Sequence, residues 1–203
     1  MGGRIVVLIS GNGSNMAALD SACRAGEVPG AVEGVFADRP CNGLKIAAER
    51  GISTMVLEPK DYLSRDEWSS ALRDAALRYS PDLVVSAGFM RILSPVFVDE
   101  FADRLINLHP ALLPDFPGAH AVRDALAAGV DATGSTVHFV DHLVDHGPVI
   151  LQEKVNVHPG DDEDSLHGRI KEAEHRILPE ACRLVLAGRV RLEGGRVLVD
   201  PSI

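Results

Sequence analysis

The feature that most constrains the fold is an apolar run that ends in a glycine-rich loop. Residues 4–10 read RIVVLIS, and GNGSN follows directly at residues 11–15. A near-continuous β-branched run predicts a strand buried on both faces, as in parallel sheets covered by helices. Residues 16–24 carry helix formers, with Ser14 or Asn15 available as the cap. The chain is therefore expected to start with a strand, a tight loop and a helix.

The same alternation continues through the first two thirds of the sequence. Strand-like runs alternate with helical patterns, and Gly51 is placed to end the second helix. The strands are expected at 32–37, 53–57, 83–87 and 104–109. The helices are expected at 44–50, 65–79 and 122–128, with a further short helix in the connection between the strands at 83–87 and 104–109. Four or five alternations of this kind predict an α/β fold with a doubly wound, mainly parallel, Rossmann-like sheet.

The second half of the chain has a different pattern. Residues 135–140 and 149–157 are strand-like, and the eight residues between them are too few for a crossover helix, so an antiparallel strand pair is expected. Residues 165–186 form a long helical pattern in which Pro179 predicts a kink or break. Residues 189–199, with two central glycines, predict a closing hairpin. Because no repeat or linker is visible, residues 1–203 are expected to form a single domain.

Charge and apolar content exclude several classes of protein. The chain has 203 residues, 46% of them apolar, and a formal charge of −9, which opposes general attraction to nucleic acid or an anionic membrane. The early apolar run at residues 5–9 is too short for a membrane span or the core of a signal peptide. Three cysteines fit neither a disulfide framework nor a zinc ribbon. These features predict a cytoplasmic globular protein.

The loop at residues 11–15 is a candidate phosphate site. It lies where a strand feeds a helix, so the backbone amides of the first helical turn could bind a phosphate monoester, and glycine lets the ligand approach closely. The spacing matches neither a dinucleotide fingerprint nor a P-loop. A tight turn required only by the packing of the sheet is the alternative interpretation.

Asn107 and His109 are a candidate catalytic pair. They stand two residues apart on an expected strand, so both side chains point to the same face. An amide can stabilise an oxyanion, and an imidazole with a reference pKa of about 6.5 exchanges protons at neutral pH, a combination that suits acyl transfer. The alternative is a histidine that only closes a strand before a proline turn.

Asp145 lies in the turn between the two antiparallel strands and could face the same cleft. A carboxylate near His109 would orient the ring and favour its protonated form. The alternative is an ordinary turn aspartate, since aspartate is common in such turns.

Two other clusters receive structural interpretations. His138, His142 and His146 recur every four residues, but the segment is β-like and ends in Gly-Pro, so the three rings cannot share a helical face and no metal site is expected. The acidic residues 161–164 complement the positive end of the long helix; they lack the spacing of a calcium loop.

The segment 89–93, FMRIL, leaves the end of a central strand as an apolar stretch with one arginine. Such a segment is usually a buried connection. At a sheet edge it could instead form one wall of a slot for a flat heteroaromatic ligand, whose ring edge the backbone would recognise.

Four motifs together resemble the folate-dependent formyltransferase family. They are LISGNGSN at 8–15, AGFMRILSP at 87–95, NLHPALLPDFPG at 107–118 and HGPVILQ at 146–152, in a collinear match from residue 4 to about 179. The resemblance implies a Rossmann-like formyltransferase fold that transfers the formyl group of 10-formyltetrahydrofolate, as co-substrate, to the amine of 5′-phosphoribosylglycinamide in purine biosynthesis. It implies no metal.

The resemblance also implies roles for individual residues. Asn107, His109 and Asp145 would be catalytic, and Asn107 would also face the folate. Thr136 and His138 would lie next to the catalytic residues and contact them without touching the substrates. The substrate-binding residues would be Gly13, Ser14, Asn15 and Glu174, and the folate-binding residues Arg65, Met90, Arg91, Ile92, Leu93, Val140 and Asp141, with 141–145 as the loop beside the pterin. Lys171 and His142 depart from residues found in other members.

The expected partners are the two small-molecule substrates, with no nucleic acid and no membrane, and a homodimer is a candidate assembly. A formyltetrahydrofolate hydrolase is the main alternative, but its reaction involves no phosphorylated amine that the candidate phosphate site at residues 11–15 would bind. A formyltransferase acting on methionyl-tRNA would need a basic region that this acidic chain does not display. A catalytically silent phosphate- or folate-binding module is the other alternative, although binding alone does not require all three catalytic residue types.

Overall fold

The computed structural model describes residues 2–194 and 196–200, and its core is one seven-stranded sheet. The strands of this sheet are β1 (Gly3–Ile9), β2 (Gly30–Ala37), β3 (Ser53–Val56), β4 (Leu83–Ala87), β5 (Leu105–His109), β6 (Ala132–Phe139) and β7 (Val149–Asn156). The helices are α1 (Ser14–Arg24), α2 (Asn42–Glu49), α3 (Arg65–Leu77), α4 (Pro95–Glu100), α5 (Ala121–Ala128) and α6 (Glu163–Leu186), and a 3-10 helix spans Pro59–Asp61. The predicted elements are confirmed, with boundaries that differ by at most three residues.

The sheet has the order β3-β2-β1-β4-β5-β6-β7. All pairs from β3 to β5 are parallel, whereas β5 pairs with β6, and β6 with β7, in antiparallel fashion. This topology confirms the doubly wound, mainly parallel sheet and the antiparallel pair in the second half. Because β2, β1 and β4 are parallel neighbours, the loops that follow them meet at one edge of the sheet.

Helices cover both faces of the sheet, as the sequence of β1 requires. Ile5, Val7 and Ile9 are buried against α1, α2 and α6, whereas Val6 and Leu8 are buried against α3 and α4. Alternate side chains of a strand point to opposite faces, so only an uninterrupted apolar run can fill two cores at once.

The predicted cap of α1 is wrong. The helix begins at Ser14, and its N-cap is Gly13, whose φ of 74° lies in the left-handed region and which has no side chain to cap the first amides. A Cβ at Gly13 would lie 2.5 Å from the Cα of Gly43, so close backbone packing selects glycine at the cap position. Asn15 uses its side chain elsewhere, as described below.

The predicted break at Pro179 is also wrong, because α6 runs continuously through it. Pro179 lacks an N–H and costs a helix interior about 3 kcal/mol. Eight other buried apolar residues of α6 offset that cost, among them Ile170, Leu178 and Cys182. The helix begins with a capping box in which Asp162 and Ser165 exchange hydrogen bonds, and Asp161 pairs with Arg169, as expected for an acidic helix start.

The predicted hairpin forms a separate two-stranded sheet of β8 (Val190–Glu193) and β9 (Arg196–Val199). Gly194 has a φ of 57°, and Gly195, the other glycine of the predicted turn, lies outside the described residues. Within residues 2–194 and 196–200, no helix has the length and apolar character needed to span a bilayer.

Candidate active site

The glycine loop places uncapped backbone amides at one end of the site. β1 ends at Ile9, and Ser14 already begins α1, so residues 10–13 form the whole connection. The first turn of any α-helix has N–H groups without intrahelical partners, and here the cap residue is a glycine. This arrangement can bind an anion such as a phosphate monoester.

Asn15 and Glu174, which are 159 residues apart, meet beside this loop. Asn15 Nδ2 donates to Glu174 Oε2 at 2.7 Å, and Glu174 is only 4% exposed. Burial raises the pKa of Glu174, although the bond from Asn15 and the charge of Lys171 act against that rise. Asn15 Oδ1 is buried and has no hydrogen-bond partner among the described residues. It is therefore an acceptor that a ligand N–H or O–H could satisfy.

Asn107 is held by two acceptors. Its Nδ2 lies 3.1 Å from His138 Nε2 and 3.3 Å from Asp145 Oδ1. His138 Nδ1 lies 2.8 Å from the carbonyl oxygen of Phe139, which can only accept, so Nδ1 carries the hydrogen and Nε2 is free to accept from Asn107. Burial lowers the pKa of His138, which fits a neutral ring. His138 thereby fixes the orientation of the Asn107 amide; the resemblance implied a supporting role for His138 but not this contact.

His109 is placed between two loops and is 4% exposed. Its Nδ1 lies 3.4 Å from Asp145 Oδ2, and its Nε2 donates to the carbonyl oxygen of Phe116 at 2.8 Å. Phe116 has a positive φ of 53°, a conformation that costs energy for a residue with a side chain. In this state the loop after β5 occupies the Nε2–H of His109.

Asp145 connects every part of the catalytic cluster. Its Oδ2 accepts the Gly118 N–H at 2.8 Å in addition to facing His109, and its Oδ1 faces Asn107 and His138. Asp145 has a φ of 51°, so the turn presents its carboxylate from a strained backbone. The predicted convergence of Asn107, His109 and Asp145 is present in the structure, with a neighbour, Gly118, that the sequence analysis missed.

Thr136 anchors the loop that follows His109. Its hydroxyl donates to the carbonyl oxygen of Ala111 at 2.6 Å and accepts the Leu113 N–H at 3.1 Å. Gln152 Nε2 donates to the same hydroxyl and to the Leu113 carbonyl. The proline- and glycine-rich sequence of the loop was the only signal for these contacts, and it does not indicate which strand residues the loop contacts.

The segments predicted to bind the folate expose apolar side chains. Met90 and Ile92 are 54% and 59% exposed, and Leu143 and Val144 on the loop before Asp145 are 61% and 53% exposed. Leu93 and Val140 pack against the core on the α3 and α4 face of the sheet, and Arg91 pairs with Asp38. Exposed apolar side chains beside a polar cluster are typical of a ligand site.

Arg65 and Asp141, two further residues predicted to bind the folate, differ in their polar partners. Arg65 is the first residue of α3, and its side chain makes no hydrogen bond or ion pair with any described residue. Asp141 Oδ2 lies 2.7 Å from His146 Nδ1, and His142 Nε2 lies 3.0 Å from Asp99 Oδ1. The histidines spaced four residues apart thus have separate partners. In the part of the chain that is described, no group of three or more His, Cys, Asp or Glu is arranged to hold a metal ion.

The fold and the cluster define an acyl-transfer enzyme built on a parallel sheet, and comparison identifies its family. Residues 3–182 match the family model described as formyl transferase, and the chain belongs to that family. Its relatives narrow the class further. The phosphoribosylglycinamide formyltransferase of Mycobacterium tuberculosis is 46% identical over 97% of this chain and 94% of its own length. The protein of the same name from Escherichia coli is 44% identical over 97% and 93%.

A solved structure agrees with this assignment. The crystal structure of glycinamide ribonucleotide transformylase 1 from Symbiobacterium toebii superimposes with a TM-score of 0.95 at 45% identity, covering 97% of this chain and 93% of that one.

Proposed function

We propose that this chain transfers the formyl group of 10-formyltetrahydrofolate to the amine of 5′-phosphoribosylglycinamide, giving formylglycinamide ribonucleotide and tetrahydrofolate in purine biosynthesis. The observation that carries the proposal is the meeting of Asn107, His109 and Asp145 in a chain of this family. An amide donor, an imidazole and a carboxylate are the groups that formyl transfer to an amine requires.

Asn107 and His109 stabilise the charge that develops on the formyl oxygen. The amine nitrogen forms a bond to the formyl carbon while the carbon–oxygen double bond opens, so negative charge grows on that oxygen. Two donors on one face of β5 can bind it from the same side. Because His138 already orients the Asn107 amide, little reorganisation is needed when the charge appears.

Asp145 moves the proton that the reaction releases. The attacking amine loses a proton as its bond to carbon forms, and the folate nitrogen gains one as its bond to carbon breaks. Asp145 lies within 3.4 Å of both Asn107 and His109, so its carboxylate is placed to pass the proton directly or through one water molecule.

The remaining residues hold the two substrates. The amides after Gly13, with Ser14, bind the 5′-phosphate, and Asn15 with Glu174 meets the ribose or glycinamide part. The exposed backbone and side chains of residues 90–93, together with Val140 and Asp141, form the folate slot, and Arg65 binds the outer part of that ligand.

The test is a spectrophotometric assay of tetrahydrofolate release, run with and without 5′-phosphoribosylglycinamide. Release that depends on the amine supports the proposal. Release at the same rate without it identifies a hydrolase, and binding of both ligands without release identifies a silent binding module.

We also propose that the chain works in the cytoplasm as one domain, with the phosphate site in its first half and a folate slot formed by residues 65 and 90–93 of the first half and residues 140–145 of the second. Its free cysteines Cys23, Cys41 and Cys182 suit a reducing compartment. A homodimer is the proposed assembly, which sedimentation equilibrium tests.

A further inference from the structure

A buried carboxylate next to the site has no part in the mechanism above. Asp38 directly follows β2, and its side chain is 0% exposed. Its Oδ2 accepts a hydrogen bond from Arg91 Nε at 2.7 Å, while its Oδ1 lies 3.5 Å from Arg39 Nε and accepts no hydrogen bond from the described residues. Burying a carboxylate is costly unless its partners are well placed, so this position calls for an explanation.

The charge of Asp38 is maintained by its neighbours. Burial acts to raise the pKa of Asp38, but the Ser10 hydroxyl and the Arg91 guanidinium outweigh it, and the pKa is lowered. The carboxylate is therefore ionised at neutral pH, and its bond to Arg91 is charge-assisted.

Ser10 also forms hydrogen bonds with the segment that contains Arg91. The Met90 N–H donates to Ser10 Oγ at 2.8 Å, and the Ser10 N–H donates to the Gly88 carbonyl at 3.1 Å. Ser10, Asp38 and residues 88–91 follow β1, β2 and β4, which are adjacent parallel strands. Two bonds from two strands thus hold consecutive residues, Met90 and Arg91, of the segment that forms the folate slot.

We propose that Asp38 is a positioning residue for the formyl folate: through Arg91 it fixes the 89–93 segment in the conformation that binds this substrate. The inference rests on the proposed function, because it assigns residues 89–93 to the folate slot. Asp38 touches no reacting atom, so its loss is expected to weaken folate binding and not the chemical step.

A second buried aspartate that pairs with arginine serves as a control for the loss of stability that removing such an ion pair causes. Asp20 is also buried, at 3% exposure, and its Oδ2 accepts from Arg24 and Arg50, each at 2.8 Å. These residues join α1 to the end of α2, and their side chains make no hydrogen bond or ion pair with residues 89–93. Asp20→Ala therefore imposes a comparable loss of a buried ion pair away from the folate slot.

The experiment measures both KM values and kcat for wild type, Asp38→Ala, Asp38→Asn and Asp20→Ala. Asp38→Ala is expected to raise the KM for 10-formyltetrahydrofolate about tenfold, the usual effect of losing one charge-assisted hydrogen bond. The KM for 5′-phosphoribosylglycinamide and kcat should stay within about twofold. Asp38→Asn keeps an oxygen that accepts from Arg91 and should largely restore the folate KM, whereas Asp20→Ala should lower the melting temperature and leave that KM unchanged.

A fluorescence measurement reports on the segment without substrate. Trp68, the sole tryptophan of the chain, is buried and stacks on Phe89 with ring centroids 6.0 Å apart. If Asp38 fixes the segment, Asp38→Ala shifts the Trp68 emission of the ligand-free protein, and Asp38→Asn does not. Calorimetric titration with tetrahydrofolate should show the same order of affinities as the KM values.

A folded Asp38→Ala with wild-type folate KM and emission overturns the inference, as does an equal rise of folate KM in Asp20→Ala. If Asp38→Ala does not fold, Arg91→Met removes the same hydrogen bond, and the ligand-free variant must show the emission shift expected for Asp38→Ala; its folate KM does not decide, because Arg91 itself belongs to the proposed folate slot. Wild-type protein that fails to consume formyl folate contradicts the proposed function instead. In that case the emission of the Asp38 variants still decides whether Asp38 fixes the segment.

Discussion

Replacing Asn107 by alanine removes one donor from the proposed oxyanion site and tests the mechanism directly. The side chain is half-buried, and both hydrogens of Nδ2 are directed, one at His138 Nε2 and the other at Asp145 Oδ1. The contact of 3.3 Å to Asp145 is the longer of the two, so it is the hydrogen we expect to turn to the formyl oxygen as charge develops.

The magnitude follows from what the substitution removes. Loss of one preorganised oxyanion donor costs about 2.7 to 4 kcal/mol of transition-state stabilisation. At about 1.36 kcal/mol per decade, kcat should fall roughly a hundredfold to nearly a thousandfold. In the ground state the bonds to His138 Nε2 and Asp145 Oδ1 are lost, each of which contributes about 1 kcal/mol of stability.

Steady-state kinetics with both substrates, together with thermal unfolding, separate these two effects. We expect a fall of two to three decades in kcat, little change in either KM, and a small decrease in melting temperature. Asn107→Asp serves as the control, because it keeps the shape, removes the donor and adds a negative charge near Asp145; it should be at least as slow. A loss of substrate affinity equal to the loss of kcat would refute the role of Asn107.

Three further predictions concern other parts of the site. Asp145→Asn should lower kcat about a hundredfold or more at unchanged KM, since it removes the proton-transfer group, and full rate across neutral pH contradicts the assignment. Burial raises the pKa of Glu174, so its contribution to stability is present below its ordinary pKa and is lost as pH rises through the raised value. The melting temperature of Glu174→Gln relative to wild type should therefore rise as the pH increases above the ordinary pKa of a glutamate, and a constant difference excludes this explanation. Gly13→Ala should cost about 2 kcal/mol or more through its left-handed φ and its contact with α2, whereas Gly11→Ala, with open space around its Cβ, should keep the melting temperature of wild type.

The strands could be predicted because their side chains meet simple physical requirements. Residues 83–87 have no polar side chain except Ser86 and are buried throughout, and the predicted and observed bounds of β4 agree. The two errors in helix prediction arose from tertiary contacts. Gly13 became the cap because the backbone of Gly43 lies against it, and Pro179 stays in its helix because the packing of α6 on the sheet outweighs the lost hydrogen bond.

In the candidate site, too, positions within one strand could be predicted, whereas contacts made by loops could not. Strand alternation alone placed Asn107 and His109 on one face, because both belong to a single element. The position of Asp145 depends on a loop that follows another strand, so the local sequence left two interpretations open, a carboxylate facing His109 and an ordinary turn aspartate, and the resemblance to a family favoured the first. The contacts of Phe116 and Gly118 with His109 and Asp145 had no sequence signal at all, since a loop rich in proline and glycine fixes its own turns but not the groups it covers. Because the Phe116 carbonyl occupies the Nε2–H that the proposed mechanism assigns to the formyl oxygen, that mechanism predicts that the loop after β5 moves away from His109 before formyl transfer.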